Sequence, residues 1–300
     1  MPEYPDITIY IERLNHFIKG RQLRRMRIAN PFFLRTFDPP IESIHGVKLH
    51  EIERIGKRIV FEFRNDYFLV LHLMISGRLH WYEADYKIPK KRGLAALDFP
   101  NGTLLVTEVS TKKRASLHLV KGRDQLRHFD RGGLELLEAS LEEFVSAIGK
   151  ENHTLKRTLT DPRILSGIGN AYSDEILHHA GLSPVLQTRN LTHEQIRRLY
   201  NSMQEVLRVR TQWIRDEVGE GFPEKVIAFR EDMSVHGRYG KPCPRCGSIV
   251  QRIRYASNET NYCPGCQTAG KLLADRSLSR LLKQDWPRTL EELEEVKSRK

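Results

Sequence analysis

Four cysteines in two closely spaced pairs constrain this chain more than any other feature of its sequence. They are Cys243, Cys246, Cys263 and Cys266, with two residues inside each pair and sixteen between the pairs. This spacing is typical of a zinc ribbon, in which each pair wraps the metal from a tight turn and the four thiolates surround it tetrahedrally. Two disulfides are the alternative, which a reducing compartment disfavours. The sequence therefore predicts one structural zinc ion with no open coordination position.

The chain is basic, and its composition is typical of a globular protein. Among 300 residues, 49 Lys and Arg oppose 38 Asp and Glu, which leaves a net charge of +11. An excess of this size favours a polyanionic partner such as nucleic acid, although charge alone is a weak indicator. No apolar run approaches the roughly 20 residues that span a bilayer, and no signal peptide opens the chain. We therefore expect a cytoplasmic protein with no membrane partner.

The amino-terminal part predicts one helix followed by a β-sandwich. Asp6 is a candidate N-cap, and apolar residues then recur at helical spacing up to Gly20. Short β-type runs follow, with Asn65-Asp66 and the Pro-Asn-Gly sequence at 100–102 as the clearest turns. The predicted strands are 48–55, 58–63, 67–73, 79–82, 95–99, 103–107 and 116–120. Strands at such close spacing are typical of a sandwich or a barrel.

The following part of the chain predicts helices. Apolar stripes over 137–148 and 191–218 have helical spacing. Between them, the Gly-Ile-Gly-Asn sequence that ends at Asn170 predicts a tight turn into a second helix, whose first backbone N–H groups favour an anion. Lys156 adds a positive charge shortly before this turn. Leucines in the tail predict a short amphipathic helix followed by a charged end: Leu272, Leu273, Leu278, Leu281 and Leu282.

These patterns divide the chain into four parts. Residues 1–123 form the predicted β-sandwich with its amino-terminal helix, and 124–235 form the helical domain. The four-cysteine finger occupies 236–270, and a C-terminal extension occupies 271–300. The fold class is therefore α+β, with several domains.

The first residues offer a chemical group that an ordinary terminus lacks. Removal of Met1 would leave Pro2 with a secondary α-amine, and an α-amine titrates near pH 8, far below a lysine. Attack of this amine on an aldehyde-like carbon gives an iminium, which labilises neighbouring bonds. Glu3 stands beside it as a candidate proton donor. The alternative is that the proline merely stiffens the terminus.

Two basic loops interrupt the predicted strands. Lys57 lies at the turn between two of them, where a side chain on a rigid sheet could reach a phosphate or assist proton transfer. The loop 111–114, which ends at Arg114, could line a nucleic-acid groove. Both loops have a simpler explanation as solvated turns.

Taken together and in this order, these motifs resemble the formamidopyrimidine-DNA glycosylase / endonuclease VIII (Fpg/Nei) family of base-excision repair enzymes. The resemblance extends over roughly residues 1–268 and rests on Pro2-Glu3, Lys57, the turn at Asn170 and the four-cysteine finger. It implies a catalytic amino-terminal β-sandwich, a helix-two-turn-helix domain and a zinc finger. It also implies a monomer, associated with the nucleoid, that acts on double-stranded DNA containing damaged bases or abasic sites.

The resemblance implies a bifunctional DNA glycosylase and AP lyase. Pro2 would attack C1′ of a flipped-out nucleotide whose base is oxidised or ring-opened, forming a Schiff base, and β-elimination would then cut the strand, with δ-elimination left open. Glu3 matches the proton donor and Lys57 matches the hairpin lysine of the family. Asn170 matches the asparagine that holds the phosphate backbone, and Lys156 matches a basic residue just before that motif.

The sequence departs from the family pattern at several positions. Asp6 replaces a glutamate in the amino-terminal motif. Asn258, five residues before Cys263, stands where relatives carry an arginine at the tip of the finger, so the bidentate phosphate grip is lost and δ-elimination is in doubt. In the oxidised-purine branch of the family, a methionine, an arginine and a phenylalanine fill the gap that the flipped-out base leaves in the duplex; we call these the lesion-filling residues. Here the phenylalanine is absent near Arg114, and Ile75 stands near the place of the methionine. The tail beyond the finger is also longer.

Two other functions use the same features. A non-catalytic zinc-containing protein that binds damaged DNA would need the basic surface and the finger. It would need none of Pro2, Glu3 and Lys57, so the presence of all three favours the enzyme. A structural zinc-ribbon module with an RNA partner has less in its favour. Covalent trapping on abasic-site DNA separates the enzyme from the first alternative, and a preference for lesion-containing duplex DNA over RNA excludes the second.

Overall fold

The structure, a computed structural model, describes residues 1–224, 226, 232–255, 258–274 and 287–298. The chain divides into two compact units. The first comprises Met1–Gly132 and Val209–Ala228, and the second comprises Gly133–Arg208 and Phe229–Lys300. The division into four parts at the boundaries given above stays a prediction. No helix in the described ranges has the length and apolarity needed to cross a bilayer.

Helix α1 spans Tyr4–Ile18 and buries its apolar face in the core of the first unit. Its N-cap is Glu3, and Asp6 lies in the first turn, so the prediction of Asp6 as N-cap is wrong by three residues. The physical reason is a capping box, in which the Asp6 carboxylate accepts the Glu3 backbone N–H at 2.9 Å. Asp6 therefore helps to start the helix from inside it.

Two four-stranded antiparallel sheets make up the rest of the first unit, as a β-sandwich requires. One has the order β1-β6-β7-β5 and the other β2-β3-β4-β8. The strands are β1 Arg25–Ile28, β2 Leu49–Ile55, β3 Arg58–Phe63, β4 Tyr67–His72, β5 Gly77–Tyr82, β6 Gly93–Phe99, β7 Gly102–Glu108 and β8 Ser116–Lys121. Buried side chains of both sheets and of α1 form one hydrophobic core. The predicted sandwich is confirmed.

Strand β1 has no counterpart among the seven predicted strands. It pairs with β6, and two of its four residues are arginines. Arg25 and Arg27 both donate to the Asp98 carboxylate on β6, at 2.9 and 2.7 Å. Burial alone would raise the pKa of Asp98, but the hydrogen bonds from the two arginines outweigh it and hold the pKa below its usual value. The strand is therefore fixed by a partner that is distant in sequence.

The second unit contains the helices that the sequence predicts, followed by a zinc-finger hairpin. Helices α2 Leu141–Gly149, α3 Leu155–Thr160 and α4 Asn170–Ala180 precede the long helix α5 His193–Val218, which continues into the first unit from Val209. The finger consists of the antiparallel pair β9 Gln251–Tyr255 and β10 Asn258–Tyr262, followed by the short helix α6 Pro264–Gln267.

The tail differs from its prediction. Leu272 and Leu273 are not helical, and Leu278, Leu281 and Leu282 lie outside the described residues. The segment predicted as a charged end instead forms helix α7, Leu290–Ser298. Its acidic first turn explains the difference, since negative side chains stabilise a helix near its N-terminus.

Candidate active site and zinc centre

The amino terminus is held in a partly buried, charged environment at the start of α1. Pro2 and Glu3 are both buried. Burial lowers the pKa of the Met1 α-amine; Glu3 opposes this shift, whereas Arg78 and Lys57 add to it. The fold thus brings Glu3 and Lys57 within electrostatic reach of the amine, together with Arg78, which sequence analysis did not select.

Lys57 follows Gly56, whose φ of 59° allows the tight turn between β2 and β3. The adjacent Arg58 pairs in register with His72 at the end of β4. Burial, followed by the charges of Arg58 and Lys57, lowers the pKa of His72 to about 4. A neutral imidazole therefore lies among cations. Sequence analysis missed His72, although a histidine that ends the apolar run of β4 is a visible signal.

A buried carboxylate organises the basic loop between β7 and β8. Glu108, only 1% exposed, accepts the backbone N–H groups of Arg114 and Ala115 at 2.9 and 3.1 Å. It also accepts the Ser76 hydroxyl at 3.2 Å, next to Ile75, whose side chain is exposed. One residue therefore fixes both segments where the resemblance places lesion-filling side chains. The Arg114 side chain itself is exposed.

In the second unit, Lys156 lies within the predicted two-helix motif. Its ammonium group donates to the Asn170 carbonyl at 2.7 Å, the Ser173 hydroxyl at 2.8 Å and the Asp174 carboxylate at 2.6 Å. An ammonium has three donors, and protein acceptors occupy all of them. The prediction that Lys156 contacts DNA stays a prediction, and the contacts indicate a structural role at the start of α4.

Polar side chains of α4 contact the finger hairpin and the segment before it. Asn170, the first residue of α4, donates its side-chain amide to the Glu259 carbonyl at 2.7 Å. Asp174, fully buried, accepts the Asn261 N–H at 3.1 Å and contacts the His236 imidazole at 2.8 Å. Glu175 accepts three consecutive backbone N–H groups at 234–236. The sequence analysis had assigned no role to Asp174 or Glu175.

The four cysteines converge at the base of the finger. Cys246 Sγ lies 3.3 Å from Cys263 Sγ, and Cys243 Sγ lies 3.9 Å from Cys266 Sγ. A regular tetrahedron with zinc–sulfur bonds of about 2.3 Å places its sulfurs about 3.8 Å apart. The donor set thus fits one structural zinc ion, as predicted. His178 of α4, which the sequence analysis missed, approaches Cys243 Sγ to 3.3 Å.

Asn258 is the first residue of β10 and pairs with Tyr255 at the end of the hairpin. Its side chain, like residues 256–257, lies outside what the structure describes. The predicted contact of Asn258 with phosphate therefore stays a prediction.

Three family models match the chain in the order of its parts. They describe the formamidopyrimidine-DNA glycosylase N-terminal domain over residues 1–124, the formamidopyrimidine-DNA glycosylase H2TH domain over 135–216, and a zinc finger found in FPG and IleRS over 240–269. The finger model covers all four cysteines.

Sequence relatives agree with the family models. A formamidopyrimidine-DNA glycosylase of Desulfitobacterium hafniense is 30% identical over 286 residues, which covers 89% of this chain and all of that protein. A Mycobacterium tuberculosis protein described as an uncharacterized formamidopyrimidine-DNA glycosylase-like protein is 40% identical over 151 residues, which covers 50% of this chain and 94% of that protein.

Solved structures share the fold. Lactococcus lactis Fpg in complex with abasic-site DNA superposes with a TM-score of 0.78 at 25% identity, over 89% of this chain and 99% of that one. A point mutant of the same protein in complex with Fapy-dG DNA gives 0.78 at 26% identity, over 89% of this chain and all of that one. From its three matching domains and its full-length relatives, the chain belongs to the Fpg/Nei family of DNA glycosylases.

Proposed function

We propose that this protein is a bifunctional DNA glycosylase and AP lyase that acts on double-stranded DNA containing oxidised or ring-opened bases or abasic sites. The observation that carries the proposal is the buried Pro2-Glu3 pair at the start of α1, next to a terminal amine on which the charges of Glu3 and Lys57 both act. Family membership supports the glycosylase class, and relatives crystallised with abasic-site and Fapy-dG DNA support the substrate class.

The chemistry begins once Met1 is removed and Pro2 becomes the amino terminus. Its nitrogen attacks C1′ of the damaged nucleotide and gives up its proton, the C1′–base bond breaks, and the base leaves with a proton. Glu3 supplies a proton to the ring oxygen as the C1′–O4′ bond opens. The resulting iminium acidifies C2′, and transfer of a C2′ proton to the Glu3 carboxylate expels the 3′ phosphate by β-elimination. Water then hydrolyses the iminium and regenerates the amine. Whether δ-elimination follows depends on the phosphate grip at Asn258.

Burial of the terminus supports the proline as nucleophile. Desolvation disfavours the charged form of an amine, and it lowers the pKa of the Met1 amine in the present fold. Pro2 is buried at the neighbouring position, so its amine would experience the same desolvation after processing. A larger fraction would then be unprotonated and reactive at neutral pH than in an exposed terminus.

The DNA contacts are assigned by resemblance and by charge. Asn170, Arg114 and Asn258 are the proposed backbone and lesion contacts, and the net charge of +11 favours a polyanion. Lys57 is proposed as a catalytic residue beside Pro2 and Glu3. Lys156 acts in this proposal by holding the first turn of α4 through its three hydrogen bonds. A monomeric state and association with the nucleoid also stay predictions.

Borohydride trapping tests the proposal directly. Processed protein, verified by mass spectrometry to lack Met1, is expected to form a covalent adduct with abasic-site duplex in the presence of borohydride. Pro2→Gly should bind the same duplex but trap far less of it. Pro5→Ala, in the first turn of α1, is the matched control and should trap like the unsubstituted protein.

The alternative of a non-catalytic damaged-DNA-binding protein predicts a different result. Such a protein binds the duplex with the same preference for the lesion, yet yields no adduct with or without Pro2. Equal adduct from Pro2→Gly and the unsubstituted protein would instead refute the proline as nucleophile while leaving an amine lyase in place.

A further inference from the structure

One face of α4 contacts the zinc finger at three successive turns. Asn170, Asp174 and His178 follow each other at intervals of four residues, which places them on the same side of a helix. Asn170 donates to the Glu259 carbonyl, and Asp174 accepts the Asn261 N–H. His178 completes the row at Cys243. The row therefore runs from the proposed phosphate-binding turn to the metal site.

Once zinc is bound, the hydrogen bond between His178 and Cys243 can have only one donor. Cys243 is then a thiolate, which can accept a hydrogen bond but has no proton to donate. The imidazole Nε2, 3.3 Å from Cys243 Sγ, must therefore carry the proton. Both side chains are almost fully buried, at 5% and 2% exposure, so water does not compete for the bond. A ring nitrogen of His178 and the sulfurs of Cys243, Cys263 and Cys266 all lie within 4.8 Å of one another, and Cys246 Sγ lies 3.3 Å from Cys263 Sγ. Because the spacing of the two cysteine pairs is typical of a four-thiolate site, we assign the four sulfurs to the metal and His178 to the position beside it.

We propose that His178 is a hydrogen-bond donor to the zinc-bound Cys243 thiolate, and that this bond couples metal occupancy to the first turn of α4. His178 is a positioning residue and not a ligand. Eight residues separate it from Asn170, about 12 Å along a helix axis. Because the intervening row is hydrogen-bonded to the finger at each turn, loosening of the metal site reaches the Asn170 turn. The inference goes beyond the proposed function and does not depend on the Pro2 chemistry.

The visible spectrum of the cobalt-substituted protein shows whether His178 coordinates the metal or only donates a hydrogen bond to a metal ligand. Four-thiolate Co²⁺ has a characteristic visible absorption pattern that changes when one ligand becomes nitrogen. We expect the four-thiolate pattern in the unsubstituted protein, in His178→Phe and in His178→Gln. A three-sulfur, one-nitrogen pattern that disappears in His178→Phe would overturn the proposal, because His178 would then be a ligand.

Zinc transfer to a competing chelator measures the hydrogen bond itself. Loss of an outer-shell partner typically lowers metal affinity about 10- to 100-fold. We expect a loss in this range for His178→Phe, and partial recovery in His178→Gln, whose amide N–H can still reach the thiolate. His179→Gln is the matched control, since the His179 side chain contacts the Ser202 hydroxyl. Its hydrogen bond from Arg245 of the finger is accepted by the backbone carbonyl, which the substitution keeps. Equal zinc affinity in all four proteins would refute the bond.

Amide hydrogen exchange tests the coupling. In the unsubstituted protein, removal of zinc is expected to speed exchange of the α4 amides at 171–174, and not only of the finger amides. His178→Phe with zinc bound should already exchange faster there, whereas His179→Gln should not. Unchanged exchange at 171–174 after zinc removal would disprove the coupling, whatever the protein does to DNA. Should His178→Phe fail to fold, the same comparison with His178→Gln decides.

Discussion

His72 takes its properties from neighbours that are distant in sequence. Its usual pKa would be about 6.5, and a solvated histidine near a phosphate would gain a proton readily. Burial in the first unit, followed by the charges of Arg58 and Lys57, instead lowers the pKa to about 4. No pattern in the sequence reports such a shift, because it depends on how β3 and β4 pair.

This shift makes a prediction for stability against pH. Between pH 6.5 and 4 the unfolded chain binds a proton at His72 that the folded chain does not. The contribution of His72 to the free energy of unfolding is therefore fully present above pH 6.5 and is lost as the pH falls towards 4. His72→Asn should therefore lose less stability than the unsubstituted protein on going from about pH 7.5 to about pH 5, by about 1 kcal/mol. Urea denaturation at both pH values measures this.

The difference between the two proteins is the relevant quantity, since other groups titrate in both. His118→Asn is the comparison: burial also lowers the pKa of His118, and the charge of His118 contributes to the lowered pKa of His72. It should give an effect in the same direction. Parallel stability curves for His72→Asn and the unsubstituted protein would contradict the shift.

Glu108 carries a second prediction at the level of one side chain. Glu108→Gln keeps one oxygen that can accept the loop N–H groups and an NH₂ group that can donate to the Ser76 hydroxyl, but it removes the negative charge that strengthens these hydrogen bonds. We expect a loss of about 1–3 kcal/mol in the free energy of unfolding. If the loop and Ile75 help to fill the gap that the flipped-out base leaves in the duplex, they matter most where a base pair must be opened. Base excision from a paired lesion should then fall more than base excision from a bulged one.

Denaturation and single-turnover excision on the two duplexes measure these effects. Glu83→Gln makes the same change at an exposed position and should leave both unchanged. An equal fall on paired and bulged substrates would remove Glu108 from any role in opening the duplex. An unchanged stability would contradict the hydrogen bonds themselves.

At the scale of elements, Lys156 on α3 is tied to the first turns of α4 by hydrogen bonds and an ion pair. The Asp174 side chain is completely buried and depends on the Lys156 ammonium 2.6 Å away. Removal of one partner of a buried ion pair typically costs about 3–5 kcal/mol, because the other charge is left uncompensated. Lys156→Met should therefore destabilise the second unit by an amount near the lower end of this range, since Lys156 keeps some exposure. Chemical denaturation followed by hydrogen exchange in α4 measures it.

The same substitution separates the structural role from direct DNA binding. A lysine that binds a phosphate would leave stability unchanged, and its loss would reduce the salt dependence of DNA affinity by about one ion. Lys156→Met combined with Asp174→Asn should recover part of the stability, because the buried charge is removed with its partner. Lys150→Met, at an exposed position after α2, provides the control.

Elements were predictable where local chemistry decides them. The hairpin between β3 and β4 follows from Asn65-Asp66, which both adopt the positive φ that such turns require. Strand β1 escaped prediction because its arginines are satisfied by Asp98, some seventy residues away. The start of α1 was misplaced because Glu3 and Asp6 cap it reciprocally, and either carboxylate alone resembles an N-cap.

At the scale of the whole molecule, a helical pattern does not reveal which core its ends pack into. Helix α5 has continuous helical spacing from His193 to Val218, yet its residues divide between the two units. The four cysteines were sufficient to predict zinc, because ligand type and spacing are local. His178 was not predictable, since its approach to Cys243 depends on the packing of α4 against the finger.

The last prediction concerns the electrostatics of the whole chain. Asn258 starts β10 next to the hairpin tip, where the resemblance places an arginine on the phosphate backbone. If this position faces DNA, Asn258→Arg adds one phosphate contact, and the slope of log affinity against log salt should become steeper by about 0.9. Asn201→Arg, on an exposed face of α5, adds the same charge and raises the net charge equally. Affinity for an abasic-site duplex, measured from low to moderate salt, should therefore separate the two variants, because a long-range effect of net charge would act in both. Identical slopes for Asn258→Arg and Asn201→Arg would place residue 258 away from the phosphates.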